Sequence, residues 1–151
     1  MLGYAIAAFV RWAIVASAVT VVALVAGMEV SGDPVELVAM YSLALLVNIS
    51  GFMWSTGIAM RFRSIQAGPL MQMPVFLLLF IAPVYVPLAL LGDVLHAFAR
   101  FNPVTYALES GRGFLAGDPT HVALGFGLPL LAAVALSVWA FRGLRSAEAA
   151  G

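Results

Sequence analysis

Leu37–Met60 reads LVAMYSLALLVNISGFMWSTGIAM, a run without Asp, Glu, Lys, Arg or His. A helix needs about 20 mostly apolar residues to cross a bilayer, and this run is long enough. Three further stretches qualify on the same ground. Trp12–Met28 precedes it, with Met1–Val10 as an apolar lead-in broken by Arg11; Pro69–Leu91 and Val122–Phe141 follow it. Of the 151 residues 64% are hydrophobic and 9% charged, against about 25% charged in an average soluble domain. A soluble domain of this length buries only part of its surface and cannot hide so much apolar side chain. The sequence therefore predicts an all-α membrane protein, one polytopic bundle of four transmembrane helices over residues 1–151.

The connections set the orientation. Glu29-Val30-Ser31-Gly32-Asp33-Pro34 is a tight polar turn between the first two spans, and Arg61–Gly68 joins the second to the third. With four spans, both termini and the Arg61–Gly68 loop share a side. That side carries Arg11, Arg61, Arg63, Arg142 and Arg145 against one acid, Glu148. The other side carries Glu29, Asp33, Glu36, Asp93, Glu109 and Asp118, with only Arg100 and Arg112. Arginine collects in cytoplasmic loops, so the bias predicts a multi-pass protein of the cell membrane with both termini cytoplasmic. The residues before Arg11 carry no positive charge, unlike the start of a cleaved signal sequence.

The connection Gly92–Thr120 is long and only moderately polar. Asp93, His96 and Arg100 fall at i, i+3 and i+7, while Val94, Leu95, Phe98 and Phe101 take the other face. This is the pattern of a short amphipathic helix, about 93–101, suited to the membrane surface. Asn102-Pro103 then reads as a helix cap with proline in the first turn. A second helix follows over about 103–115, with Thr105, Glu109 and Arg112 on its polar face and Gly117-Asp118-Pro119 as its stop. Glu109 and Arg112 are spaced to pair. The expectation is a short external helical hairpin at or in the outer leaflet, before the last span.

Composition removes several chemistries. The chain has no lysine, and a phosphate-binding loop of the Walker type requires one. It has no cysteine, so disulfides, thiolate catalysis and zinc–thiolate sites are excluded. Seven basic residues balance seven acidic ones, so no net field draws nucleic acid to the chain. The four spans contain no ionisable residue, which weighs against an ion-driven transporter and an intramembrane protease. His96 and His121 have no partner at ligand spacing, so no metal site is expected. Trp12 and Trp139 fall near the cytoplasmic ends of their spans, where aromatic belts form.

Two spans carry uncharged polar groups. Tyr41, Ala44, Asn48, Gly51 and Ser55 recur at spacings of three and four, making one small and polar stripe. Such a stripe serves either as a helix-packing seam or as the lining of a substrate path. The third span holds Pro69, Pro74, Pro83 and Pro87, with Gln72 and Tyr85. Its prolines either kink the helix for packing or leave a bent outer end that moves with the hairpin. Asn48, Ser55, Gln72 and Tyr85 are the candidates for a substrate path.

Three features in this order carry a family resemblance. One span ends in Met60-Arg61-Phe62-Arg63-Ser64 and the next begins at Gly68-Pro69; a proline-interrupted span ends in Tyr85-Val86-Pro87; and Phe101-Asn102-Pro103-Val104-Thr105-Tyr106 precedes Arg112 and, five residues on, Gly117. In this the chain resembles the C-terminal part of a type-2 ABC transporter permease of the daunorubicin-resistance-like, drug-exporter branch. The match runs from about Arg11 to Arg145 and corresponds to the last four of the family's usual six spans. That fits a truncated subunit, a fragment, or half of a split pair. Ala82-Pro83 and Leu91-Gly92-Asp93-Val94 depart from the family's pattern.

The resemblance implies a permease subunit that pairs with a second one, as homo- or heterodimer. It would move a hydrophobic or amphipathic substrate (a drug, antibiotic or lipid-like molecule) out of the cell. A separate ABC ATP-binding subunit would bind and hydrolyse ATP, and this chain would hold no cofactor and be no enzyme. The external motif would be Asn102, Pro103, Thr105, Tyr106, Glu109, Arg112 and Gly117, and Arg11, Arg61 and Arg63 would face the ATP-binding partner. The competing expectation is an accessory or structural membrane protein, including a non-transporting permease remnant. A membrane enzyme comes third, because no catalytic constellation is visible.

Overall fold

The computed structural model describes residues 2–62, 64–84, 90 and 92–149. Among them the regular elements are helical: α1 Leu2–Val25, α2 Pro34–Phe62, a 3-10 turn Ile65–Ala67, α3 Gly68–Ile81, α4 Asp93–Ala99, α5 Pro103–Ala116 and α6 Val122–Ala149. Three segments are long and apolar enough to cross a membrane: Ile6–Val25, Pro34–Phe62 and Val122–Gly143. They correspond to the first, second and fourth expected spans; the second and fourth are lengthened, while the first begins at Ile6 and ends at Val25, before the expected Met28. With these bounds all three hold charged residues: Arg11 in the first, Glu36 and Arg61 in the second, and Arg142 in the third. The start of α2 is fixed by a reciprocal cap. The Asp33 N–H donates to Glu36 Oε2 at 2.8 Å and the Glu36 N–H donates to Asp33 Oδ1 at 2.7 Å, with Pro34 in the first turn.

The main packing is between α2 and α6, which run parallel. The Ser50 hydroxyl donates to the Pro129 carbonyl at 3.0 Å midway, and Arg61 Nη2 donates to the Trp139 carbonyl at 2.8 Å near the C-terminal ends. Gly57 makes the close approach possible, because a Cβ there would stand 2.0 Å from the Trp139 ring. Trp139 also stacks on Trp54, with ring centroids 5.3 Å apart and an interplanar angle of 12°. Trp139 therefore packs between helices α2 and α6. The α1 helix runs antiparallel to α2. Thr20 and Tyr41 share a hydroxyl–hydroxyl bond of 2.6 Å, and Ala8, Arg11 and Trp12 line one cleft with Phe52 and Ser55.

These directions bring the start of α1 and the ends of α2 and α6 to one end of the bundle. Arg11, Arg61 and Arg142 lie toward that end; Glu29, Asp33, Glu36 and Asp118 lie toward the other. A chain leaving α2 at one end and entering α6 at the other must cross back once more. The sequence gives that crossing to one span, 69–91, and the structure corrects this by dividing it. The α3 helix has 14 residues, ends at Ile81, and passes into an extended Ala82 with φ −72° and ψ 146°. At 1.5 Å per residue it is about 21 Å long, short of a hydrocarbon core of about 30 Å. Pro83 stands where the helix would have continued. Residues 85–89 and 91, the end of the expected span, lie outside the described residues.

The α3 helix lies antiparallel to the second half of α2, where the Trp54 indole donates to the Met71 carbonyl at 3.0 Å. The first half of α2 is met by α5, whose Ala107 and Phe114 cluster with Leu43. At the far end the N–H groups of Ser31 and Gly32 donate to the Leu115 carbonyl at 2.9 and 3.2 Å. The α5 helix stands inside the height of the bundle, with Thr105, Ala107, Ser110, Gly113 and Phe114 buried. Small residues allow this, since a Cβ on Gly125 of α6 would come 2.1 Å from Ser110 Oγ. Thr105, which the periodicity puts on a polar face, has no exposed surface at all.

Candidate functional site

Two residues of the Asn102–Gly117 motif, Asn102 and Arg112, join the two short helices α3 and α5. Asn102 is 5% exposed and serves both. Its Oδ1 accepts the Val104 N–H at 3.0 Å, capping α5, while its Nδ2 donates to the Leu78 carbonyl at 2.6 Å, in the last turn of α3. One amide therefore satisfies an orphan donor of α5 and gives a second hydrogen bond to the Leu78 carbonyl, which already accepts the Ala82 N–H. Pro103 occupies the first turn of α5, where no backbone N–H is needed. Tyr106 donates its hydroxyl to the Arg100 carbonyl at 2.9 Å and meets His121 edge-on. Gly117 ends α5 at φ 73°, and a Cβ there would also stand 3.0 Å from the Ser31 carbonyl oxygen.

Arg112 holds the other side of the junction. It pairs with Glu109 at 2.8 Å, as the spacing predicts. Its Nη2 also donates to the carbonyls of Pro83 and Val84, the latter at 2.6 Å. These carbonyls belong to the extended segment after α3, where no helix supplies partners. Sequence reasoning identifies the ion pair and misses the carbonyls. The available signal is Pro83 itself, which marks where backbone acceptors leave the helical ladder.

Replacing Asn102 with Ala should cost about 1 kcal/mol, the usual loss for such a cap, read as faster hydrogen exchange at the Val104 amide. Asn102→Asp keeps the cap acceptor but aims a carboxylate at the Leu78 carbonyl. It should therefore destabilise the end of α3 even though α5 stays capped.

The other candidates separate into different places. Asn48 and Ser55 come together with Arg11 in a cleft of about 670 Å³ between α1 and α2. Of the expected stripe, Ala44, Asn48, Gly51 and Ser55 line this cleft, and Tyr41 closes its far end through Thr20. Helix packing on α6 uses a different face of α2, that of Leu43, Ser50 and Gly57. Gln72 is exposed on α3 and lies in neither place, while Tyr85 and Arg63 lie outside the described residues. Arg61 is engaged within the bundle: its guanidinium carbon sits 4.0 Å from the Trp139 ring centroid and it donates to the Gly57 and Trp139 carbonyls.

No family model, curated protein or solved structure matches this chain.

A second cavity of about 370 Å³ opens where α2, α3, α5 and α6 meet, walled by Val47, Trp54, Leu78, Val104, Pro129 and Leu136. Its walls are almost wholly apolar. The arrangement as a whole offers an apolar cavity at the junction, a cleft beside α1 that includes Arg11, Asn48 and Ser55, and two short helices joined by Asn102 and Arg112.

Proposed function

We propose that the chain is a membrane-spanning permease component of an ABC-type exporter, moving a hydrophobic or amphipathic substrate outward with ATP hydrolysed by a separate subunit. The observation that carries this reading is the use made of the residues behind the family resemblance. Asn102 and Arg112 both act on one device, the joint between α3 and α5, while Gly117 ends α5 against Ser31. A crossing in two halves is easier to rearrange than a continuous helix, because its joint depends on a few side-chain bonds to backbone carbonyls. An exporter needs such a bistable element, since a ligand shifts only states that it binds differently. The apolar cavity at the joint suits a substrate without charge.

In this reading the arginine-rich end is cytoplasmic, the ATP-binding subunit docks there, and a second permease subunit completes the path. The absence of lysine agrees with ATP being bound elsewhere. Because the chain has no cysteine, topology is directly testable. Single cysteines at Asp33 or Asp118 should label with an impermeant thiol reagent in intact cells, and one at Ser64 should not. Labelling at Ser64 alone inverts the orientation.

Function is tested by ATP-dependent efflux of amphipathic dyes from vesicles. The purified chain should show neither ATPase activity nor transport, and both should appear with the ATP-binding subunit and any missing first half. Dye movement by the chain alone under a proton gradient overturns the reading. Failure to bind an ATP-binding subunit favours an accessory role.

A further inference from the structure

We propose that the cleft between α1 and α2 binds an anionic lipid, with the headgroup acid on Arg11 and an acyl chain along Val15 and Val19. The proposal requires only that α1 and α2 lie in a bilayer and holds whether or not the chain is a permease. Three polar side chains open into this cleft: Arg11, Asn48 and Ser55. Among the described residues none of the three has a hydrogen-bond or ion-pair partner in its side chain. Arg61 and Arg112, by contrast, are held by backbone carbonyls and, for Arg112, a carboxylate. Polar groups left unpartnered in hydrocarbon are costly, so a cleft that gathers three of them calls for a ligand.

The register defines the ligand. The two helices run antiparallel from the Thr20–Tyr41 bond, which sets Arg11 near the level of Ser50 and Gly51. Asn48 and Ser55 then stand about one turn to either side of it. Helical side chains lean toward the N-terminus of their own helix, which tips Arg11 toward the level of Ser55 and the outer end of the cleft. Arg11 and Ser55 thus form a mouth with a positive charge and a hydroxyl. Asn48 lies about 10 Å deeper by helical rise.

The remaining wall is apolar: Val15, Ala16 and Val19 on one side, Ala44 on the other. An acid at the mouth, a chain along the valines and an ester carbonyl at Asn48 match these features in order. A cation is repelled by Arg11, and a small inorganic anion leaves the apolar wall and Asn48 unused. Gly51 keeps the cleft open, since nothing lies within 4 Å of where its Cβ would stand.

The competing account is that Arg11 merely snorkels to the nearest headgroups, with no use of the cleft. Trp12 lines the cleft and reports on it, because Trp54 and Trp139 are stacked together elsewhere. The experiment places the full chain in phosphatidylcholine vesicles containing phosphatidylglycerol or phosphatidylcholine with brominated acyl chains. The Trp12 component of fluorescence is obtained by difference against Trp12→Phe. Brominated phosphatidylglycerol should quench it at about fivefold lower mole fraction than brominated phosphatidylcholine, the preference one arginine near anionic lipid supplies.

Arg11→Gln should abolish the preference. Gly51→Leu should abolish it too, by filling the cleft while Arg11 remains. This second variant adds a side chain into open space and a better helix former, so its fold is retained. Equal quenching by the two lipids in the unaltered chain overturns the proposal. So does a Gly51→Leu chain that keeps the full preference, because charge alone then accounts for it.

Discussion

Gly57→Leu should lower the unfolding free energy of the detergent-solubilised chain by about 3 kcal/mol, the upper part of the range for overpacked cores. The magnitude follows from what stands beside Gly57. Its Cβ position is 2.0 Å from one atom of the Trp139 ring and 2.3 Å from another. Trp139 cannot swing away freely, because Trp54 stacks on it and Arg61 covers it. Moving the ring breaks both contacts, and an aromatic pair alone contributes about 1 kcal/mol beyond its buried area. Parallel packing of α2 and α6 depends on this point, so the two helices should also separate more readily. The measurement is tryptophan fluorescence during denaturant unfolding. Gly51→Ala is the control on the same helix, with an unchanged or slightly raised midpoint, since its Cβ meets nothing.

Arg112→Ala should free the joint between α3 and α5. The substitution removes donors from the Pro83 and Val84 carbonyls and takes the guanidinium away from the Glu109 carboxylate. Hydrogen bonds from a charged donor contribute about 2 kcal/mol each when well formed. Arg112 is one-third exposed, with 33% of its side chain accessible, so water replaces part of this. A net loss of about 2 kcal/mol is expected, read as faster hydrogen exchange in the first turns of α5 and proteolysis after Ile81. Arg112→Lys should rescue little, because an ammonium cannot span Glu109 and two backbone carbonyls as a guanidinium fork does. If the permease reading holds, this variant reduces efflux by more than it reduces protein level.

The long helices are legible in the sequence because hydropathy alone specifies them. Leu37–Met60 and Val122–Phe141 lie within helices of 29 and 28 residues. The Asn102-Pro103 cap and the Gly117 stop are legible as well, since both act within a few residues of themselves. The broken crossing is not. Pro69–Leu91 carries no charged residue, and only Pro83 hints that the helix ends before it. The position of α5 is also hidden, because Thr105 and Ser110 look like solvent-facing residues until Gly113 and Gly125 let the helices close around them. Arg61 and Trp139 are 78 residues apart, and no periodicity links them. Arg112 finds backbone acceptors, which leave no trace in side-chain identity. Arg11 looks like a boundary residue by composition and becomes part of a span only when α1 extends back to Ile6.

The central claim is that the return crossing is made by α3 and α5 together, with α5 standing against the first half of α2. It is tested by cysteines at Leu43 and Ala107, residues of one buried cluster, introduced into a chain that has no cysteine of its own. Oxidation in native membranes should join them in high yield, detected as a mobility shift on non-reducing gels after a cleavage site is placed between α2 and α5. A single cysteine at Ala107 should resist an impermeant thiol reagent in intact cells. Ready labelling at Ala107, with no cross-link to Leu43, would place α5 flat outside the bundle and contradict the account.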